Sequence, residues 1–249
     1  MEKNWFDKSA EEYKSARPQY PKELFSFLSE QTAGHGLAID CGAGNGQATV
    51  PLALYFDKVV GLDVGANLLA NATKAEKVSY LLSSASHLPF EANSVDLITS
   101  ASAAHWFELE KFYDEVGRVL KPGGVLALWT YYYMPKVDPK IDSIVEKLLE
   151  VTLAKYMNPR LEWVNSQYEN LPFPYAKEKK AFEYSITGDF NRFAAVLESL
   201  SFVKTYTEKT GKNPLDEVRD ELEKLWGPKE KERKMTWDNH MVIGRKPIP

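Results

Sequence analysis

The chain has 249 residues, a length that fits one α/β domain with an elaboration. Hydrophobic residues make up 44% of the chain and aromatic residues 12%, which is enough to bury a core and argues against a disordered or fibrous protein. The 31 Lys and Arg residues against 35 Asp and Glu give a formal charge of -4, so the chain has no overall field that would attract nucleic acid.

The sequence lacks the patterns of a membrane segment or a metal site. No 18-residue apolar run occurs, and residues 1–15 alternate charged and aromatic side chains, so we expect a cytoplasmic protein that does not associate with membranes. The single Cys41 excludes an intrachain disulfide framework and a multi-thiolate zinc site within the chain. We expect no metal, because the histidines lack ligand spacing; they are His35, His87, His105 and His240.

Short apolar runs, many of them β-branched, alternate with stretches of helical period in the first half of the chain. This alternation is typical of βα units around a mainly parallel sheet. In chain order it predicts five strands, at Leu37–Cys41, Lys58–Asp63, Val78–Leu82, Val95–Ser100 and Gly124–Thr130. Apolar residues at helical spacing from Leu109 to Leu120, ahead of the breaker Lys121-Pro122-Gly123-Gly124, predict a helix packed on the sheet.

The pattern changes after Thr130. Asp138-Pro139 predicts a helix N-cap with proline at the first helical position, and an amphipathic run to Leu149 follows it. We interpret this run as the start of an inserted helical segment. Further along, the sequence predicts a strand at Ala181–Ile186, a helix at Phe190–Leu200, an amphipathic helix within 213–234 and a final strand at Met235–Arg245.

A glycine turn follows the first strand. Ala38-Ile39-Asp40-Cys41 leads into Gly42-Ala43-Gly44-Asn45-Gly46, ahead of residues 47–56, which can be helical. Missing side chains let the backbone approach a ligand closely, and the first N–H groups of a helix can receive an anion such as a carboxylate. The alternative interpretation is an ordinary tight turn between a strand and a helix.

Two features favour an aminoacyl nucleoside over a dinucleotide at this turn. Asp40, just ahead of the glycines, would repel a pyrophosphate but attract an ammonium group. The third glycine is Gly46, whereas the dinucleotide pattern requires it at the position of Gln47. Asp63 ends the second predicted strand, where a carboxylate can accept hydrogen bonds from both hydroxyls of a ribose. It can equally cap the helix that follows.

Five motifs, of which the glycine turn is the first, carry a family resemblance. The motifs are Ile39–Gly46, Val60-Gly61-Leu62-Asp63, Leu88-Pro89-Phe90, Val95-Asp96-Leu97-Ile98 and Val119–Gly124. Over residues 38–130 the chain resembles a class I S-adenosylmethionine-dependent methyltransferase. The run Ala103-Ala104-His105-Trp106-Phe107, with the N-terminal Tyr13, Arg17-Pro18 and Tyr20-Pro21, resembles the small-molecule subgroup that includes the trans-aconitate methyltransferases.

The resemblance implies a Rossmann-like α/β fold. Its seven-stranded, mostly parallel sheet would have helices on both faces, an antiparallel last strand and a helical cap inserted after the fifth strand. A single domain would span 1–249, with an N-terminal lid and first helix at 1–35, a cofactor-binding core at 36–130, the cap at 131–180 and the C-terminal part of the sheet at 181–249. The cofactor, S-adenosylmethionine, would lie across the carboxyl ends of the first, second and fourth strands, as is usual in open sheets.

The resemblance also assigns cofactor contacts by position. They are Asp40, Gly42 and Gly44 at the methionine part, Asp63 at the ribose, Val64 and Leu68 on one adenine face, Ser84 and Ala85 at the adenine edge, Tyr13 closing over the cofactor, and Ser100. Ser84 departs from the common pattern, in which an Asp accepts a hydrogen bond from the adenine amino group. A hydroxyl can accept the same bond.

Three residues are the candidate catalytic groups: His105, Trp106 and Arg17. His105 and Trp106 follow the fourth strand on the loop that faces a substrate in this fold, although each can instead serve packing or satisfy a loop carbonyl. Arg17 can clamp a substrate carboxylate bidentately, the alternative being a surface ion pair. We expect methyl transfer to a small molecule, at carboxylate or hydroxyl oxygen, with Tyr20 and Tyr131–Tyr133 near the pocket.

Other functions stay open at this point. A nicotinamide-dependent oxidoreductase would share the glycine turn, and Tyr175 with Lys179 forms a Tyr-x-x-x-Lys spacing, but Glu162 occupies the place where a catalytic serine is usual. Methylation of nucleic acid is disfavoured because no Asn-Pro-Pro-Tyr-type motif follows the fourth strand. A non-catalytic S-adenosylmethionine-binding regulator would keep the glycines without needing an acceptor pocket. The sequence does not predict an oligomeric state.

Overall fold

The structure is a computed structural model, and it describes residues 19–249. One sheet contains β1 Leu37–Cys41, β2 Lys58–Asp63, β3 Val78–Leu82, β4 Val95–Ala101, β5 Leu120–Tyr131, β6 Glu178–Gly188 and β7 Arg233–Arg245. The strand order is β3-β2-β1-β4-β5-β7-β6, and β7 pairs antiparallel with both β5 and β6 while the other pairs are parallel. The predicted seven-stranded, mostly parallel sheet with an antiparallel last strand is confirmed.

The described part of the chain has nine α-helices: α1 Lys22–Gln31, α2 Thr49–Leu52, α3 Ala66–Ala70, α4 Leu109–Val119, α5 Pro139–Leu148, α6 Glu162–Asn165, α7 Phe190–Glu198, α8 Ser201–Thr210 and α9 Arg219–Trp226. Short turns of other helix types occur at Ala104–Trp106, Leu149–Leu153, Ala154–Tyr156, Pro159–Leu161 and Pro214–Glu217. Among these helices, none has the length and apolar character needed to span a bilayer.

Helices cover both faces of the sheet. On one face, Leu24 and Phe25 of α1 pack in the same cluster as Trp129 of β5. On the other face, Phe112 and Val116 of α4 belong to the second cluster. All five side chains are buried, and burial of each contributes roughly 1.5 to 3 kcal/mol. The apolar residues whose spacing predicts α4 therefore lie on the face of the helix that packs against the sheet.

The predicted breaker before the fifth strand lies inside β5. Val95 of β4 pairs with Leu120, and Leu97 pairs with Val125, so residues 121–124 form an irregular bulge between the two pairs. Gly123 has a φ of 78°, which explains why a glycine is suited to this position. The strand therefore begins at Leu120, whereas the sequence predicts its start at Gly124.

The cap over the carboxyl ends of the strands comes from two separate parts of the chain. In the first part, Asp138 caps α5 by accepting a hydrogen bond from the Lys140 amide at 3.0 Å, as its sequence predicts. The second part, residues 190–226, contains α7, α8 and α9. The rings of Tyr156 and Tyr206 meet edge to face at 5.1 Å and join the two parts. The sequence predicts helices at Phe190–Leu200 and within 213–234, inside the segment 181–249 that it assigns to the C-terminal part of the sheet. In the structure, the helices of this second part complete the cap.

Candidate functional site

The glycine turn after β1 has left-handed backbone at three positions. The φ angles are 73° at Gly42, 55° at Gly44 and 90° at Gly46. A Cβ atom at Gly42 would lie 2.4 Å from the Cβ of Ala103, whereas a Cβ at Gly44 would meet nothing within 4 Å. The missing side chain at Gly44 therefore leaves open space at the ligand side of the turn, while the one at Gly42 permits close packing.

Asp63, at the end of β2, fixes the glycine turn to the neighbouring loop. Its Oδ2 accepts a hydrogen bond from the Gly44 amide and its Oδ1 accepts one from the Gly65 amide, both at 2.8 Å. The carboxylate is half-buried, so it still faces the cleft. Each carboxylate oxygen has further lone pairs, and the two amides therefore orient the group without exhausting its capacity to accept from hydroxyls.

Asp40, near the end of β1, is a fully buried carboxyl group. Its oxygens accept hydrogen bonds from the hydroxyls of Thr49 at 2.7 Å and Thr99 at 3.0 Å. Burial raises the pKa of Asp40 to about 6, although the two hydroxyl bonds act in the opposite direction. When ionised, this group places a negative charge beneath the glycine turn, where it can attract a ligand ammonium group.

A single cleft of about 850 Å³ begins at the glycine turn and ends at the cap. Eight of the predicted cofactor residues lie in its wall: Asp40, Gly42, Gly44, Asp63, Val64, Leu68, Ser84 and Ala85. Trp106, Tyr20 and Tyr131 also lie in the wall. The cleft has the size expected for a site that binds a small molecule with its cofactor.

Two predicted site residues fall outside the described residues, and two others lie outside the cleft wall. Tyr13 and Arg17 belong to the first group, because the description begins at residue 19. Ser100 and His105 belong to the second. Ser100 is fully buried in β4, as the preceding residues of that strand are buried, and its neighbour Ala101 lines the cleft. The cofactor contact expected of Ser100 stays a prediction.

His105 lies in the short turn Ala104–Trp106, beneath the cleft wall. Its side chain is 4% exposed, and its Nδ1 lies 2.8 Å from the hydroxyl of Tyr168. Burial, with a smaller contribution from the positive charge of Arg160, lowers the pKa of His105 to about 3. The imidazole is therefore neutral near pH 7, and its side chain is buried in the core and not part of the cleft wall.

Tyr168 reaches His105 from a strained segment of the cap. Gln167 and Tyr168 have φ angles of 53° and 61°, values that bulky residues rarely adopt. The Tyr168 amide donates a hydrogen bond to the carbonyl of Trp163 at 2.8 Å, and its side chain is fully buried. The surrounding packing therefore maintains a backbone conformation that delivers the hydroxyl to the imidazole.

Trp106 connects the loop after β4 to the cap. Its ring lies 4.7 Å from the His105 ring and is part of the cleft wall. Its carbonyl oxygen accepts a hydrogen bond of 2.6 Å from the guanidinium of Arg160, which belongs to the first part of the cap. The position of Trp106 is thus set by a contact on each side of the loop.

The cap end of the cleft contains residues that the sequence analysis did not identify. The first part of the cap contributes Lys155, Tyr156, Met157 and Asn158, and α8 contributes Ser201, Phe202, Thr205 and Lys209. Ser201, Thr205 and Lys209 are four residues apart, which places them on one face of a helix. This polar i, i+4, i+8 spacing is the signal from which they could have been found.

The residues around the glycine turn fit S-adenosylmethionine. Gly44 leaves room for close approach, Asp40 and Asp63 supply carboxylates for an ammonium group and hydroxyls, and Ser84 supplies a hydroxyl. Val64 is 64% exposed although it is apolar, and it lines the cleft together with Leu68. An exposed apolar surface of this kind suits the face of an adenine ring. Among residues 19–249, no group of three or more His, Cys, Asp or Glu side chains is arranged to hold a metal ion.

Comparisons with known proteins agree with this geometry. A family model described as a methyltransferase domain matches residues 39–128. A candidate methyltransferase of Dictyostelium discoideum is 32% identical over 248 residues, which cover 97% of this chain and 94% of that protein. The glycine turn and the strands around it lie within the region that the family model matches.

Solved structures extend the similarity to the cap. A candidate type II methyltransferase from Anaeromyxobacter dehalogenans has a TM-score of 0.86 and 35% identity, and the match covers 94% of this chain and 99% of that one. A phosphoethanolamine N-methyltransferase of Haemonchus contortus, solved with phosphomonomethylethanolamine and S-adenosylhomocysteine, has a TM-score of 0.51 and 19% identity over 97% of this chain and 57% of that one. The second similarity shows the fold alone.

Proposed function

Because this chain belongs to the class I S-adenosylmethionine-dependent methyltransferases, we propose that it methylates a small molecule on oxygen, with a carboxylate as the preferred acceptor. The cofactor, when bound, supplies an electrophilic methyl group carried on a sulfonium. A subgroup akin to the trans-aconitate methyltransferases and a cytoplasmic location stay predictions. A nicotinamide-dependent oxidoreductase and a non-catalytic regulator receive no support from the family comparison.

The continuity of the cleft is the observation that carries the proposal. Residues of the glycine turn and residues of both cap parts line the same space of about 850 Å³. An acceptor held at the cap end and a methyl donor held at the glycine end would meet within one enclosed site. In ideal intramolecular models such positioning supplies roughly 7 to 11 kcal/mol of the barrier.

In this proposal the chain holds the cofactor with few groups. Asp40 attracts the ammonium group of the methionine part, and Asp63 accepts hydrogen bonds from the ribose hydroxyls. Val64 and Leu68 cover one face of the adenine. Ser84 offers its hydroxyl to the adenine edge. The support for these roles is that all five residues lie in the wall of the same cleft.

Within residues 19–249, no carboxylate or histidine suited to act as a base lies near the cap, which favours a carboxylate over a hydroxyl acceptor. In the described part of the wall, the carboxylates are Asp40 and Asp63 at the cofactor end and Glu108, which pairs with Lys111 at 2.6 Å. His105 is neutral, buried and bonded to Tyr168, so it is a weak base at neutral pH. A carboxylic acid with an ordinary pKa near 4 is already ionised there and needs no base.

We assign Trp106 and His105 different roles in this reaction. Trp106 contacts the acceptor directly and excludes water from it, because its ring lies in the cleft wall. His105 is a positioning residue that supports Trp106 from below, through the ring contact of 4.7 Å. Arg17 lies outside the described residues, and its role as a carboxylate clamp stays a prediction.

The proposal is tested by incubating the protein with methyl-labelled S-adenosylmethionine and sets of possible acceptors that share one carbon skeleton. Each set contains the carboxylic acid, the corresponding alcohol and the corresponding amine. We expect label to move to an acid and to be released by mild alkali, because a methyl ester hydrolyses in base whereas an ether or a methylamine does not. Label in a base-stable product of the alcohol would assign the hydroxyl instead, and label in the amine would contradict oxygen methylation.

A further inference from the structure

Two lysines converge on one aromatic ring at the cap end of the cleft. The ammonium nitrogen of Lys155 lies 5.3 Å from the centroid of the Tyr156 ring, and that of Lys209 lies 5.7 Å from the same centroid. All three residues line the cleft. Lys155 and Tyr156 come from the first part of the cap, and Lys209 comes from α8 in the second part. The pair therefore forms only when both cap parts are in place.

Neither lysine is neutralised within residues 19–249. No carboxylate of this range lies within 4.0 Å of either ammonium group, although other lysines such as Lys111 and Lys121 have such partners. Glu217 is the acidic residue beside the aromatic pair, and it accepts hydrogen bonds from the hydroxyls of Tyr206 at 3.1 Å and Thr152 at 2.9 Å. Two positive charges thus face the acceptor end without a counter-charge.

Such an arrangement suits an anionic group. An anion at this end of the cleft that reaches both ammonium groups gains attraction from each of them. The contact with the Tyr156 ring restrains each side chain, so less conformational freedom is lost when the anion binds. Asn158 and Ser201 also line this end and carry hydrogen-bond donors.

We propose that Lys155 and Lys209 form an anion subsite which binds a carboxylate or phosphate group of the acceptor, distinct from the oxygen that receives the methyl group. The inference rests on the proposed function, since it assumes that the acceptor occupies the cap end of the cleft. It assigns a substrate class: small molecules with a second anionic group. The subsite sets which acceptor binds, and the methylated oxygen lies toward the cofactor.

Calorimetric titration of the full chain loaded with S-adenosylhomocysteine tests the subsite without turnover. The probes are glutarate and inorganic phosphate, and the neutral glutaramide is the control ligand. We expect Lys155→Gln and Lys209→Gln each to raise the dissociation constant of glutarate by about threefold, as removal of one charge contact at an exposed ammonium group does. Lys155→Arg should keep most of the affinity. Lys147→Gln, an exposed cap lysine outside the cleft wall, should leave it unchanged.

The outcomes separate this inference from the proposed function. Glutarate or phosphate binding that is lost in both glutamine variants supports the subsite, and the stronger of the two probes distinguishes a carboxylate from a phosphate ligand. No binding by wild type, equal binding of glutaramide, or unchanged binding in both variants overturns it. Methyl transfer to a dicarboxylate acceptor whose KM is unchanged in both variants keeps the methyltransferase function and refutes the subsite. Subsite binding without transfer to any oxygen refutes the oxygen acceptor alone.

Discussion

The Nδ1 atom of His105 lies 2.8 Å from the hydroxyl of Tyr168, and both side chains are buried. This pair connects the loop after β4 with the first part of the cap. It lies beneath Trp106, one of the residues of that loop that line the cleft. The relationship changes how the loop histidine is interpreted, from a group that touches substrate to one that holds the loop in place.

The pH dependence of turnover tests this interpretation. The pKa of His105 is lowered to about 3. The imidazole therefore does not titrate between about pH 5.5 and pH 8, where histidine side chains usually do. We expect the rate profile for a carboxylate acceptor to have the same shape in wild type and in His105→Gln, because the titration of Asp40 near pH 6 is present in both proteins. A limb near pH 6.5 that vanishes in the variant would show that His105 is a general base.

Removal of the Tyr168 hydroxyl should weaken the fold and the acceptor site together. Tyr168→Phe leaves the buried Nδ1 of His105 without its partner, which costs about 1 to 3 kcal/mol of unfolding free energy. We expect a raised KM for the acceptor with little change in cofactor affinity, because the loop that carries Trp106 loosens. Denaturant unfolding and calorimetry measure the two effects.

Tyr113→Phe is the matched control for this variant. Its hydroxyl donates to the carbonyl of Pro172 at 2.5 Å, but that bond is exposed to solvent, so water replaces it. A loss of stability as large in this control as in Tyr168→Phe would argue that hydroxyl burial at His105 has no special effect.

The ionised carboxylate of Asp40 is expected to lower the stability of the cofactor-free protein and to strengthen cofactor binding. Its pKa of about 6 is higher than the ordinary value of 3.8. Between pH 3.8 and pH 6, the folded state therefore keeps a proton on this carboxyl group that the unfolded state has lost. The contribution of the protonated group is therefore present at low pH and is lost as pH rises through 6. Asp40→Asn should raise the stability of the cofactor-free protein at pH 7.5 by up to about 3 kcal/mol and weaken S-adenosylmethionine binding.

Denaturant unfolding at pH 5 and pH 7.5, with the cofactor-free protein, checks the Asp40 prediction. The stability gain of Asp40→Asn should be larger at the higher pH. Thr32→Val, which alters a buried hydroxyl bond outside the cleft, controls for general effects of a buried polar change. An equal gain at both pH values would contradict the assignment of the cost to ionisation.

Alanine substitutions at two glycines of the turn should differ in their effects on stability and cofactor affinity. Gly44→Ala adds a Cβ in open space, so it should mainly reduce cofactor affinity, with about 1 to 2 kcal/mol of backbone strain. Gly46→Ala adds the same strain, but its Cβ would lie 2.1 Å from the hydroxyl of Tyr80, so its loss of stability should be larger. Thermal unfolding and calorimetry compare the pair; equal losses of stability would contradict the distinction.

The sequence predicts the cofactor half well because its signals are local. The bounds of β1, β2 and β3 agree with the predictions to the residue, since each apolar run is flanked by glycine or polar turns. Ser100 shows a limit of local reasoning. All residues of β4 from Val95 to Ser100 are buried, so the tertiary fold, and not the strand's own pattern, determines that Ala101 lines the cleft.

The cap was harder to predict because tertiary contacts form it. The segment of α8, Ser-Phe-Val-Lys-Thr-Tyr-Thr-Glu-Lys-Thr, is rich in β-branched and hydroxyl residues that are poor helix formers. Burial of Phe202, Val203 and Tyr206 stabilises the helix instead. Likewise, no signal near His105 indicates its partner, since Tyr168 lies 63 residues further along the chain.

The position of β7 also sets an order of assembly during synthesis. β7 lies between β5 and β6 in the sheet but follows β6 in the chain. While the chain emerges from the ribosome, β6 therefore has no neighbour with which to pair until residues 233–245 have left the exit tunnel. The strands beside the glycine turn, in contrast, all precede β6 in the chain. A nascent chain can thus complete the part of the sheet beside the glycine turn before β6 gains its partner strand.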